Sequence, residues 1–66
     1  MTIHINNNAV QAADGASLLD VLAAQSLDGP GVAVAVDNKV VPRAEWGARR
    51  LADGARLTVI RAVCGG

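Results

Sequence analysis

A chain of 66 residues is long enough for one small domain, but too short to enclose both a hydrophobic core and a deep catalytic pocket. Six basic and six acidic side chains cancel, so the charge gives no reason to expect nucleic acid or a membrane surface as the main partner. The chain has one Trp and neither Phe nor Tyr, so the core has to come from Val, Ile, Leu and Ala. All the basic residues lie in the second half of the chain, which predicts one locally positive end.

The expected compartment is the reducing cytoplasm. A single cysteine, Cys64, cannot form an internal disulfide. The first residues do not resemble a signal peptide, and no apolar run approaches the length of a membrane span.

The first twelve residues predict a β-hairpin. Residues 2–6 alternate polar and apolar side chains, and residues 9–12 form a short second strand. The asparagines between them tolerate the left-handed backbone that a tight turn requires. His4 lies on the polar side of the first strand, and no other potential ligand is spaced to join it. A solvent-facing histidine is therefore expected, in preference to a metal ligand or a catalytic base.

A helix is expected from Ser17 to Gln25 or Ser26. Ser17 followed by Asp20 resembles a capping box, and the glycines and proline of residues 28–31 end the helix. The stripe expected to face the sheet comprises Leu18, Val21, Leu22 and Gln25, with Leu19 beside it.

The second half predicts further strands. Residues 32–36 alternate valine and alanine, residues 37–39 form a turn, and Val40-Val41 begins a strand that Pro42 restricts to an edge or an end. Residues 44–47 fit one helical turn, with Trp46 packed at the rim of the core. Residues 49–51 are a possible short strand, and residues 55–63 form the longest one.

This order of elements predicts a single α+β domain over residues 1–66, with the β-grasp, or ubiquitin-like, fold. A mixed sheet of four to five strands packs on one main helix, and the chain ends in a flexible Gly65-Gly66 tail. The last strand is expected at the sheet centre, parallel to the first, because it is almost continuously apolar. On the residues alone, the two glycines are either a frayed end or a bare backbone that presents the terminal carboxylate.

Three features together resemble the ThiS family of sulfur carrier proteins of thiamine biosynthesis. They are the order of elements, the segment from Val40 through Pro42 and Arg43 to Trp46, and the terminal Gly65-Gly66. The Gly-Gly end also occurs in ubiquitin and in the small subunit of molybdopterin synthase, so the Val-Pro-Arg…Trp segment is the more ThiS-like feature. Cys64 departs from the family pattern, at a position where the family tolerates varied residues, and places a thiol close to the C-terminal carboxyl group.

The resemblance implies a function for Gly66. A ThiF-type adenylyltransferase would use ATP to convert the Gly66 carboxylate into an acyl-adenylate, and sulfur from a persulfide donor would then displace AMP. The resulting thiocarboxylate would give its sulfur to a ThiG-type thiazole synthase. The chain would be no enzyme, with no catalytic residues, metal or stably bound cofactor of its own, and Gly65 would let the tail enter the partner's active site.

Side-chain alternation in the last strand predicts where a partner docks. With Leu57 and Val59 facing the helix, the next side chains face the open side of the sheet and form a shallow apolar patch around Ile60. The candidate partner-binding residues are Ile60, Thr58, Ala62, Ala33, Ala35 and Arg61. The arginines Arg43, Arg49, Arg50, Arg56 and Arg61 either dock an acidic partner or form a solvated basic face.

Two alternatives to the thiamine carrier come from the same resemblance. One is the sulfur-donating small subunit of molybdopterin synthase, and the other is a ubiquitin-like conjugation or interaction module. Cys64 is expected to be a bystander and not a sulfur relay. No base lies near it in sequence, and Arg61 is the only nearby residue that could activate the thiol.

Overall fold

The computed structural model describes residues 1–61. The regular elements are β1 (Thr2–Ile5), β2 (Asn8–Gln11), α1 (Leu18–Ala24), β3 (Val32–Val36), β4 (Lys39–Val41), a short 3-10 helix (Arg43–Glu45) and β5 (Arg56–Arg61).

The five strands form one mixed sheet in the order β2-β1-β5-β3-β4. The last strand, β5, lies in the centre, parallel to β1 and antiparallel to β3. The hairpins β1–β2 and β3–β4 flank it. β4 is an edge strand and ends just before Pro42, in agreement with the prediction of an edge or an end. The predicted β-grasp arrangement is therefore confirmed, with five strands.

Each hairpin is closed by a two-residue turn with both central residues at positive φ. These are Asn6 and Asn7 (48° and 73°) in the first hairpin, and Asp37 and Asn38 (48° and 70°) in the second. Two positive φ values are typical of type I′ turns, whose twist matches that of the strands they join. Asn and Asp tolerate this backbone better than other residues with a side chain, so these turns set the register of both hairpins.

The described residues 1–61 contain no helix that is long and apolar enough to cross a membrane.

The core lies between α1 and one face of the sheet. Leu18, Val21 and Leu22 of α1 are buried as predicted, whereas Gln25 and Leu19 are exposed. The buried apolar side chains are those of Ile3, Ile5, Leu18, Val21, Leu22, Val32, Val34, Val36, Val41, Trp46, Leu51, Ala55 and Leu57.

Trp46 lies in this core and not at its rim, which corrects the prediction from sequence. Its side chain is only 1% exposed, and its indole Nε1–H donates a hydrogen bond to the Val41 carbonyl oxygen at 3.0 Å. The guanidinium carbon of Arg43 lies 4.4 Å from the centroid of the Trp46 ring. Arg43 also donates hydrogen bonds to the carbonyl oxygens of Asp28 and Gly29. The Val-Pro-Arg…Trp segment therefore fastens β4 to the connection that precedes β3.

The predicted strand at residues 49–51 is wrong. Arg50 makes only an isolated antiparallel bridge with Ser17. Leu18 N–H donates to the Arg49 carbonyl oxygen at 2.8 Å, and Leu51 N–H donates to the Ala16 carbonyl oxygen at 3.1 Å. The backbone of this segment is thus occupied by the start of α1, because the unpaired amides of a helix N-terminus need acceptors.

The start of α1 has the predicted capping box. Asp20 N–H donates to the Ser17 hydroxyl, and Ser17 N–H donates to the Asp20 carboxylate, both at 3.1 Å. The hydrogen bond from Ser17 N–H to the carboxylate, and after it the interaction with the Ser17 side chain, hold the pKa of Asp20 below its ordinary value. A carboxylate at this position also interacts favourably with the helix dipole.

The depressed pKa of Asp20 predicts a specific loss of stability in acid. A folded-state pKa below the unfolded one stabilises the protein at all pH values above the unfolded pKa, which is about 3.9 for Asp. This contribution is lost as the pH falls from about 4 through the folded pKa. Urea unfolding of Asp20→Asn should therefore show a shallower loss of stability below about pH 4 than the parent. If the unfolding free energies of the two proteins fell equally with pH in that range, the stabilising role of the Asp20 carboxylate would be contradicted.

Candidate docking face and the C-terminal strand

The sheet has one face covered by α1 and one open face. Leu57 of β5 is buried and Val59 half-buried, whereas Thr58 and Ile60 between them are exposed. In β3 the valines are buried, Ala33 is exposed and Ala35 is half-buried. The predicted facing of both strands is therefore confirmed.

The exposed side chains of the open face form one apolar surface. Ala33 lies opposite Ile60, and Ala35 lies opposite Thr58. Side chains directly opposite on antiparallel strands share a face and are close neighbours. Ile60 is 61% exposed, which is high for a large apolar side chain in a small domain.

Val40 extends this surface, and the sequence interpretation did not include it. It pairs with Ala35 across the β3–β4 hairpin and is 77% exposed. The signal was present, because a two-residue turn at Asp37-Asn38 necessarily places Val40 opposite Ala35. We call the surface made of Ala33, Ala35, Val40, Thr58 and Ile60 the open-face patch.

Arg61 does not belong to the open-face patch. It is exposed, but it alternates with Ile60 and pairs with Val32, whose side chain is buried on the helix side. Arg61 therefore lies on the helix side, at the end of the strand. Two other arginines considered for partner docking already bind within the domain. Arg43 donates hydrogen bonds to the carbonyl oxygens of Asp28 and Gly29, and Arg50 donates one to the Gly15 carbonyl oxygen at 3.0 Å.

Arg49 and Arg56 remain available to a partner. Within residues 1–61, neither their side chains nor those of the other basic residues form a salt bridge with a carboxylate. Both are exposed. Arg56 lies on the open face, two residues before Thr58, and pairs with His4 on β1. The open-face patch thus has a positively charged neighbour.

His4 lies on the open face of the sheet, apart from any cluster of metal-ligating side chains in the described part of the chain. His4 is half-buried on the open face, not fully solvent-facing as expected. It lines a shallow polar depression together with Asn7, Arg56 and Thr58. No group of three or more His, Cys, Asp or Glu residues among residues 1–61 is placed to hold a metal ion.

Strand β5 is held on both sides, but by different means. On one side β3 pairs with it up to Val32 opposite Arg61. On the other side β1 ends at Ile5, opposite Leu57, so β5 extends four residues past its partner. The Asn6 carboxamide fills part of this gap. It accepts a hydrogen bond from Val59 N–H at 2.9 Å and donates one to the Val59 carbonyl oxygen at 3.1 Å.

The end of the chain lies outside the described residues. This applies to the predicted sulfur-carrying Gly66, to Gly65, Cys64 and Val63, and to Ala62 of the predicted partner-binding set. Arg61 is therefore the last residue whose position can be related to the open-face patch.

Comparison with known proteins gives consistent results over the whole chain. The ThiS family model matches residues 3–66. The sulfur carrier protein ThiS of Escherichia coli K12 is 29% identical over 66 residues, which is all of both chains.

Solved structures agree with the fold. The crystal structure of a thiamine biosynthesis protein (ThiS) from Geobacter metallireducens aligns with a TM-score of 0.83 at 20% identity, over all of both chains. An NMR structure of a thiamine biosynthesis protein from the same organism aligns with a TM-score of 0.78 at 21% identity, over all of this chain and 88% of the other. The family match extends from the first strand through the terminal Gly65-Gly66, so the chain belongs to the ThiS family.

Proposed function

We propose that the protein is the sulfur carrier of thiamine biosynthesis and carries sulfur on the carboxyl group of Gly66. The observation that supports this most is the family match over residues 3–66, which includes both terminal glycines. The fold adds a physical reason, because the central strand β5 leads directly into the terminal residues.

The chemistry requires activation by another protein. A carboxylate is a poor electrophile, so a ThiF-type adenylyltransferase transfers AMP from ATP to Gly66 and releases pyrophosphate. A persulfide sulfur then attacks the acyl carbon and AMP leaves. The product is an acyl disulfide. A thiol then attacks the donor's sulfur in this bond, so that a new disulfide forms and the thiocarboxylate is released. A ThiG-type thiazole synthase accepts that sulfur during ring formation.

The carrier itself supplies position and recognition in this scheme, and no catalytic group. ATP is bound by the activating partner, and we assign no stably bound cofactor to the carrier. Cys64 is treated as a bystander, and the reducing cytoplasm, where ATP is available, is the proposed compartment. Neither nucleic acid nor a membrane is needed as a partner.

Intact-mass spectrometry tests the proposed function directly. The purified chain is incubated with ATP, the ThiF-type adenylyltransferase and a persulfide donor. The expected product has one oxygen of the Gly66 carboxylate replaced by sulfur, and fragmentation should place the change on the last residue. A chain that retains its carboxylate under full activation conditions would refute the carrier function. Sulfur donation as the small subunit of molybdopterin synthase, in place of transfer to thiazole synthase, would refute the thiamine assignment alone.

The open-face patch is the proposed docking site for the adenylyltransferase. It is apolar and exposed, it has Arg56 beside it, and it is carried by the strand that leads to Gly66. Exposed apolar patches on small domains commonly mark interaction sites. We expect an apolar partner surface with an acidic side chain near Arg56.

Substitution of Ile60 tests the docking site. Ile60→Asp should keep the native circular dichroism spectrum, because Ile60 is exposed, and should weaken binding about tenfold or more, as for a central interface residue. Leu19→Asp is the matched control, since Leu19 is 39% exposed on α1, away from the open face. Calorimetric titration with the partner measures both. Equal affinities for the two variants would rule out the patch as the docking site.

A further inference from the structure

The turn residue Asn6 does more than close a hairpin. Its backbone, at φ 48°, belongs to the turn between β1 and β2. Its side chain lies along β5 and pairs with both polar groups of the Val59 backbone. If β1 continued, its backbone would bond these same two Val59 groups, so the carboxamide acts as a short extension of β1.

This contact lies near the last point at which β5 is held on its β1 side. Backbone pairing there ends with Asn6 N–H, which donates to the Leu57 carbonyl oxygen at 3.0 Å. The next contact along the strand is the Asn6 carboxamide at Val59, two residues before Arg61. Without it, β5 from Thr58 onward would be hydrogen-bonded through β3 alone, and a strand paired on one side twists and bends more freely.

We infer that Asn6 is a positioning residue for sulfur loading, because its carboxamide fixes the direction in which β5 leads towards Gly66. The inference rests on the proposed function. The activating enzyme holds the open-face patch and must receive the carboxyl group at a fixed distance from it. A shift of β5 between Ile60 and Arg61 therefore displaces the reacting carboxylate relative to the docked surface. Displacements of this kind slow a reaction much more than they weaken binding.

Asn6→Gly is the variant that separates positioning from folding. Glycine adopts positive φ without strain, so the turn is retained while the carboxamide is removed. Asn7→Gly is the matched control in the same turn. Asn7 also has positive φ, and its side chain makes no hydrogen bond within residues 1–61. Trp46→Phe serves as a variant that is destabilised in the core, away from the open face.

The expected result is a loss in kcat with little change in KM for the carrier. For Asn6→Gly, kcat of AMP transfer should fall about tenfold, since a small misplacement of a reacting group costs up to about a hundredfold. KM and the Kd for the adenylyltransferase should stay within about twofold of the parent, because β3 still pairs with β5 opposite Thr58 and Ile60 and keeps the open-face patch assembled. Exchange of the Val59 amide hydrogen should accelerate about tenfold, in line with the loss of one hydrogen bond. Asn7→Gly and Trp46→Phe should keep the parental kcat at temperatures where they are fully folded.

Three outcomes would overturn the inference. One is a parental kcat for Asn6→Gly, and another is an equal loss in Asn7→Gly or Trp46→Phe. The third is an unchanged exchange rate at Val59, which would show that the carboxamide does not restrain the strand. If the parent chain itself is never adenylated, the proposed function fails together with the inference, and that result is distinct from a failure confined to Asn6→Gly.

Discussion

Deleting Gly66, or adding one alanine after it, is expected to abolish adenylation. Deletion moves the carboxyl group one residue towards the domain, by about 3.3 Å in an extended chain. Addition moves it the same distance outward and introduces a methyl group where the family has bare glycine. Either displacement places the carboxylate out of reach of the attack on the α-phosphate, so a complete loss is expected and not a partial one.

The same two changes should leave the thermal midpoint almost unaltered. Among residues 1–61, the buried core residues all lie between Ile3 and Leu57, and the described pairing of β5 ends at Arg61. AMP transfer from labelled ATP and a thermal melt by circular dichroism measure the two properties on one sample. Cys64→Ser is the control, and it should retain most of the activity. Normal AMP transfer to the extended chain would show that the reaction does not require the glycine end, and loss of activity in Cys64→Ser would make the thiol a participant.

Trp46→Ala is expected to cost about 3–5 kcal/mol of unfolding free energy, the usual range for removing a buried large aromatic side chain. Small domains are stable by only about 5–15 kcal/mol, so this change should leave the protein close to its unfolding transition at 25 °C. Trp46 is the largest fully buried side chain, and Val41, its hydrogen-bond acceptor, belongs to the same core. The effect follows from the cavity and from the lost hydrogen bond together.

Trp46→Phe separates these two contributions. It keeps most of the apolar volume but removes the hydrogen bond that the indole donates to the Val41 carbonyl oxygen, at a cost of about 0.5–1.5 kcal/mol. Urea unfolding followed by circular dichroism measures both variants, because the only tryptophan fluorescence is lost with the substitution. A cost below about 1 kcal/mol for Trp46→Ala would contradict the placement of the indole in the core.

Local sequence rules predicted those parts of the fold in which neighbouring residues determine the backbone. The Asn6-Asn7 and Asp37-Asn38 pairs favour positive φ, and the Ser17–Asp20 pair forms a capping box. The alternation in β3 and β5 predicted which side chains face the helix and which face the open side of the sheet. Even the central place of β5 followed from its apolar character, since β1 and β3 pair with both of its edges.

Features that depend on contacts between distant segments were not predictable in this way. Residues 49–51 have strand-like composition, but their backbone groups are used by the start of α1. The depth of Trp46 depends on Val41 and Arg43 meeting around it. The carboxamide of Asn6 reaches a strand that is 53 positions away in the chain. Composition and spacing carry no signal for such a partner.

The central position of β5 has a consequence for the timing of synthesis. Hairpins β1–β2 and β3–β4 share no edge, so their hydrogen-bonded connection within the described sheet runs through β5. Each hairpin can form locally as the chain emerges from the ribosome, but the long-range pairing waits for the final segment. The open-face patch comes together only at that moment, because Ile60 and Thr58 belong to β5 while Ala33, Ala35 and Val40 do not. A nascent or truncated chain without its C-terminal strand therefore lacks the surface at which we propose the activating enzyme docks.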